Sequence, residues 1–229
     1  MLFVAAAFVL TSCLKNQDDQ PRMPSAGLMA LNLSPDHDMG VVFRLSGNTL
    51  NNQPMTFGNF TGGYLPIYLG NRDVRTVDAR TGAELASLAA QRFDSSKYYS
   101  LFFTGADEVY TNIVVNDHLD TLLPESGEAL VRYIQAIPDS AAFTVKLASG
   151  SKELPTTASF NTVTDFASMP TGNLQISADN GAGVSLSRTI SIEANKAYTI
   201  LLIGDPRKTG DGREPQIKYI VNGTVEDPS

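Results

Sequence analysis

The sequence predicts an all-β chain of two tandem immunoglobulin-like antiparallel β-sandwich domains, set behind a lipoprotein signal peptide and a flexible stalk. Three observations point there. An uncharged apolar run, Met1 to Leu10, leads directly to Cys13, the only cysteine in the chain. Segments of residues 33–116 recur in the same order across 137–222. The recurring segments are short and rich in β-branched and aromatic residues, with turn residues between them.

The apolar run has the length of a signal-peptide core and is too short for a membrane-spanning helix. The Lys or Arg that ordinarily opens a signal peptide is missing ahead of Leu2. Leu10-Thr11-Ser12-Cys13 resembles the lipobox of bacterial lipoproteins, in which the cysteine thiol takes a diacylglycerol and becomes the mature N-terminus. Two or three acyl chains, at about 0.8 kcal/mol per buried methylene, hold a protein to a bilayer far more firmly than one myristoyl chain. Residues 15–25 are poor in apolar side chains and contain Pro21 and Pro24, so they read as a stalk. The pair Asp18-Asp19 resembles a short signal that sends lipoproteins of Gram-negative gut anaerobes to the outer face of the outer membrane. The expected organisation is a signal peptide over 1–12, the lipidated cysteine and stalk over 13–26, a first module over 27–121, a linker over 122–127 and a second module over 128–225.

Hydrophobic content of 42% with 18% charged residues is that of a globular chain. A net charge of −7 without a Lys/Arg cluster argues against nucleic acid and against an anionic membrane surface as partners. With Cys13 lipidated, no thiol remains to staple the fold, so apolar cores must suffice.

The internal repeat sets the domain count. Leu33-Ser-Pro-Asp36 with Val41-Val-Phe-Arg-Leu45 parallels Ile137-Pro-Asp139 with Phe143-Thr-Val-Lys-Leu147. Tyr64 with Leu69-Gly-Asn71 parallels Phe166 with Thr171-Gly-Asn173, and the segment Lys97 to Gly105 parallels Lys196 to Gly204. Val114-Val-Asn116 is matched to Ile220-Val-Asn222. Each copy is about a hundred residues, the size of an immunoglobulin-type sandwich. Phe143, Val145 and Leu147 alternate with Thr144 and Lys146, as Leu174 and Ile176 do with Gln175 and Ser177, placing each apolar set on one face of a strand. Tyr99–Thr104 and Tyr198–Ile203 are unbroken apolar runs, expected of central strands. Ala83–Arg92 has helical propensity, but its partner Val184–Ile192 alternates as a strand, so both are expected to be strands with a short helix in the first as the alternative.

The Pro-Asp turn, the aromatic segment with Gly-Asn and the Lys-x-Tyr-(apolar)-Gly strand are similar to domain-of-unknown-function family forty-three ninety-seven, found in bacterial secreted proteins and lipoproteins and often in tandem. The resemblance covers residues 27–223 and implies no catalytic residues.

No catalytic set and no metal or cofactor site can be assembled from the sequence, so the expectation is a chain that is not an enzyme and carries no cofactor. Tyr99 and Tyr198 enter equivalent strands from turns, as the tyrosine corner of immunoglobulin folds does. His37 and His118, at non-equivalent positions, read as solvated loop histidines. Asp36, Asp38 and the carboxylates of 205–214 lack the regular oxygen spacing of a calcium loop, and Arg207, Lys208 and Arg213 put positive charge in the second stretch. Thr121 and Ser140 sit in Asp-Ser/Thr-apolar triplets and are candidate O-glycosylation acceptors. The insert Asp205–Glu214, with Arg207, Lys208, Asp211 and Arg213, reads as an exposed tip without core packing and as a candidate partner-contacting loop. The expected function is that of an outer-membrane, surface-exposed lipoprotein, tethered through Cys13, that acts as a non-enzymatic binding, adhesion or structural module with a protein or glycan partner. The alternative is a glycan-binding or polysaccharide-processing accessory subunit, with Tyr64, Tyr68 or Tyr110 as sugar platforms.

Overall fold

A computed structural model describes residues 24–225, and these hold seventeen strands. The first sandwich contains β1 (Ser25–Asn32), β2 (Val41–Leu45), β3 (Asn48–Thr49), β4 (Asn59–Phe60), β5 (Leu65–Tyr68), β6 (Gly70–Asp78), β7 (Glu84–Phe93), β8 (Tyr98–Ala106) and β9 (Val109–Asn116). The second contains β10 (Glu128–Gln135), β11 (Phe143–Ser149), β12 (Lys152–Ala158), β13 (Ala167–Pro170), β14 (Gly172–Asp179), β15 (Ser185–Ile192), β16 (Lys196–Ile203) and β17 (Gln216–Thr224). The helical alternative for 83–92 is not adopted, because β7 pairs along β6.

Each sandwich has an outer sheet, β3-β2-β6-β7 or β12-β11-β14-β15, that is antiparallel throughout. Each inner sheet differs from the expected antiparallel pattern at one pair. β1 runs parallel to β8, and β10 parallel to β16, while β4 and β5, or β13, flank one side and β9 or β17 the other. The outer strands alternate as expected: Phe143, Val145 and Leu147 are buried and Thr144 and Lys146 exposed. Their apolar faces meet the inner sheets in two separate cores. One is built around Leu28, Phe43, Val74, Leu101 and Phe103, the other around Val131, Phe143, Ile176, Ile200 and Leu202.

The inner strands bury both faces. Met29, Leu31, Leu33 and Phe102 of the first module pack against Ile134, Ala136, Leu201, Ile203 and Ile220 of the second in a third core. The unbroken apolar runs therefore have a physical cause: one face of each run closes its own sandwich, and the other closes the junction between modules. Burial of this kind contributes about 25 cal/mol per Å² of apolar surface removed from water. The two modules form one four-layered stack rather than two beads on a linker.

Both tyrosine corners form. The Tyr99 hydroxyl accepts the Asp94 N–H at 3.0 Å, and the Tyr198 hydroxyl accepts the Glu193 N–H at 3.0 Å. Gly105 and Gly204 end the two central strands with φ of 113° and 119°, and a β-carbon at either would meet a backbone oxygen, that of Val109 or Glu214. The repeat register holds everywhere except at its last pair. Leu101 pairs with Val114 and its counterpart Ile200 with Tyr219, so the true partner of Asn222 is Asp117, not Asn116.

Candidate functional site

The most concentrated chemistry lies in the junction between the modules. Arg132 is the one charge in the apolar run of β10, and strand alternation turns it away from its own core and into the junction. Its side chain is 2% exposed, and that of Asp117, just past β9, is wholly buried. Arg132 Nη1 donates to Asp117 Oδ1 at 2.6 Å, Nη2 to Ser100 Oγ at 2.8 Å and Nε to Thr199 Oγ1 at 3.0 Å. Asp117 Oδ2 accepts the hydroxyls of Ser100 at 2.7 Å and Tyr64 at 2.5 Å. Thr199 donates to Asn222 Oδ1 at 2.6 Å, and Asn222 Nδ2 donates to the Tyr64 oxygen at 3.0 Å. The guanidinium also lies 4.3 Å over the Phe166 ring. Burial, and then the negative charge of Asp117, hold the Tyr64 phenol well above its ordinary pKa, so it stays a donor.

A paired ion at such depth stabilises little against an apolar substitute, yet stranding either partner costs several kcal/mol. The cluster therefore fixes how the two inner sheets meet. Sequence reading missed Arg132 and Asp117. The available signal was a lone arginine inside Ala129–Ile137, a stretch otherwise bare of charge.

Around this centre the rim is polar. Thr104 donates to Asn161 at 2.8 Å across the junction. The insert after β16 is not the free tip expected of it. Asp205 at its base is 1% exposed, with its carboxyl held below the ordinary range by the Arg207 side chain. Arg207 also pairs with Asp107, and Arg213 with Asp38, both in the first module. Arg207 and 209–212, Asp211 among them, are open to solvent, while Lys208 is half-buried. The two arginines of the insert are spent on carboxylates of the same chain.

His37 is likewise not a solvated loop residue. Its Nδ1 lies 2.9 Å from Asp78 Oδ2, and its ring packs 5.0 Å from that of Tyr110. The apolar wall of Phe103 and Tyr110 draws it in. His118 is exposed, as expected. Of the carboxylates weighed as calcium ligands, Asp36 accepts the Tyr110 hydroxyl at 3.0 Å and the Asp107 N–H at 2.6 Å, and Asp38 and Asp205 pair with Arg213 and Arg207. Thr121 is exposed, whereas Ser140 is half-buried with its hydroxyl donating to the Ile137 carbonyl at 2.9 Å. Leu10, Thr11, Ser12 and Cys13 lie outside the described residues.

Of the three expected aromatic platforms, Tyr64 is committed to the buried cluster and Tyr110 to His37 and Asp36, and only Tyr68 is exposed, at 62%, with the Arg72 guanidinium 5.6 Å from its ring centre. A fourth, Tyr98, was not anticipated. It is 39% exposed at the mouth of a groove of about 580 Å³ between the modules, lined also by Ser96, Leu119, Asp120, Leu123 and Thr224. Gly27 lies beneath it, where a β-carbon would come within 2.8 Å of the ring, and Tyr64 meets it edge-on at 5.0 Å.

The fold and the junction define a pair of immunoglobulin-like sandwiches fused through their inner sheets. Residues 129–216, most of the second sandwich, match the family model "Domain of unknown function (DUF4397)". No curated protein matches the chain. Among solved structures, the family 26 carbohydrate-binding module of Eubacterium rectale Amy13K, crystallised with maltoheptaose, aligns over 88% of this chain and 98% of its own at 12% identity. The TM-score is 0.25, too low for the likeness to bear on either fold or ligand.

Proposed function

We propose that the chain is a lipid-anchored binding module of the outer membrane, tethered through Cys13 on the cell surface, with adhesion or recognition rather than catalysis as its task. The observation that carries this reading is the junction: two sandwiches locked by a buried, fully partnered polar cluster make a rigid carrier for surface grooves, the form in which β-sandwiches usually present recognition sites. The lipobox at Leu10–Cys13 supports the tether, and Asp18-Asp19 supports the outward face.

Metabolic labelling with palmitate tests the tether. The full chain should take up label and partition with membranes, and Cys13→Ala should abolish both. Unchanged membrane retention of Cys13→Ala would refute it. Protease shaving of intact cells should remove the protein, and full protection would place it on the periplasmic face instead.

A further inference from the structure

We infer that the Tyr98 groove binds a neutral carbohydrate, an inference that rests on the proposed role as a surface binding module and names its ligand class. The groove of about 580 Å³ adjoins a second of about 320 Å³, lined by Ser25, Gly27, Pro66 and Lys97, and the two share Tyr64, Ser96 and Tyr98. Tyr98 thus stands as a ring with a hollow on either side.

The ring is held before any ligand arrives. Gly27 leaves it no room to sink, Tyr64 braces its edge, and Tyr64 is itself tied to Asp117 and Asn222. A fixed exposed ring is what the apolar C–H face of a pyranose needs, because little freedom is lost on stacking. Polar groups stand round the ring at the groove wall: the hydroxyl-bearing Ser96, Thr121 and Thr224, and Asp120. Asp120 pairs with Lys97, and that pair offers sugar hydroxyls both an acceptor and a donor without net charge.

Other ligand classes fit less well. An extended peptide would need a free strand edge; β1 is paired on both sides by β5 and β8, and β8 by β1 and β9, while the edge strands β5 and β17 reach the hollows only through Pro66, which has no N–H to pair, and through the last three residues of β17, Asn222–Thr224. The flanking amides are also used, Ser96 N–H by the Ser25 carbonyl and Asp117 N–H by that of Tyr98. An anion would find one lysine there, already neutralised, on a chain of net charge −7. A neutral ligand with alternating apolar and hydroxyl faces remains.

Saturation-transfer NMR on the full chain in detergent, against a panel of short neutral gluco-, manno-, galacto- and xylo-oligosaccharides, tests this. Sulfated and sialylated oligosaccharides and a valine-rich peptide complete the panel. At least one neutral sugar should bind. Tyr98→Ala should weaken it about tenfold or more, Tyr98→Phe should keep it within a few-fold, and Tyr68→Ala should leave it unchanged. Thermal melting of Tyr98→Ala close to the parent would show that the loss is one of contact and not of fold. No neutral sugar bound at millimolar concentration overturns the inference, as does binding that survives Tyr98→Ala, or binding of only the peptide or the anionic sugars. None of these outcomes touches the palmitate experiment, so the tether and the ligand class fail separately.

Discussion

The two modules share four strands of their inner sheets, β4 alone having no counterpart strand, yet equivalent positions carry different residues, and the differences face each other. Where the first module has Met29 the second has Arg132, and where the first has Asp117 the second has Asn222. Where Gly27 leaves Tyr98 exposed, the second module has Leu130 paired with Ala197, buried with Phe166 under Leu119 and Leu122 of the connection between β9 and β10. Two copies of one sheet placed face to face would present like to like. Here one copy supplies the cation and the other the anion, and the linker covers one copy's patch while leaving the other's open. Asymmetry between repeats, more than the repeat itself, is what creates both the lock and the groove.

The sharpest way to break that comparison is to give the second module the first module's residue. Arg132→Met should cost about 3–5 kcal/mol in urea unfolding, since Asp117 is left buried and unpaired. Adding Asp117→Asn, which gives the first module the second's residue, should recover most of that loss, with a coupling of at least about 2 kcal/mol. Gly105→Ala and Gly204→Ala should each cost about 2 kcal/mol or more, because a β-carbon would fall 2.1 Å from the Val109 oxygen or 2.3 Å from that of Glu214. Equal losses would show the modules alike at their strand ends.

Removing one tyrosine-corner hydroxyl, as Tyr99→Phe or Tyr198→Phe, should cost about 1 kcal/mol in either module. The smallest effect belongs to Asp78. The Thr81 N–H, foremost, with the His37 and Arg80 contacts, holds its pKa at about 2. Because the folded value lies below the unfolded 3.8, its contribution is complete above that pH and is lost as pH falls through about 2. Acid titration of stability should lose that step in Asp78→Asn.

Much of the fold was legible because strand alternation and repetition are local signals. Phe143, Val145 and Leu147 announce a half-buried strand, and the equivalent tyrosines announce the corner. The four-layered stack was not legible in the same way. Unbroken runs such as Tyr198–Ile203 report burial on both faces without naming what covers the second face. Arg132 could have been read as a buried charge seeking a partner, but nothing local couples it to Asp117. The ion pairs of the insert were not legible for a similar reason. Its charges look solvated in sequence, and only the fold brings Arg213 to Asp38 and Arg207 to Asp107. Tyr98 went unnoticed as a platform because its neighbour Tyr99 fitted the corner motif.

The central claim is that the inner-sheet junction, and not the linker, makes the two modules one body. A protease site placed between Ser126 and Gly127, both exposed, tests it once cut. The nicked chain should co-elute as a single species in size exclusion at micromolar concentration and melt in one transition. Separation of the two fragments into species that melt independently would contradict the account.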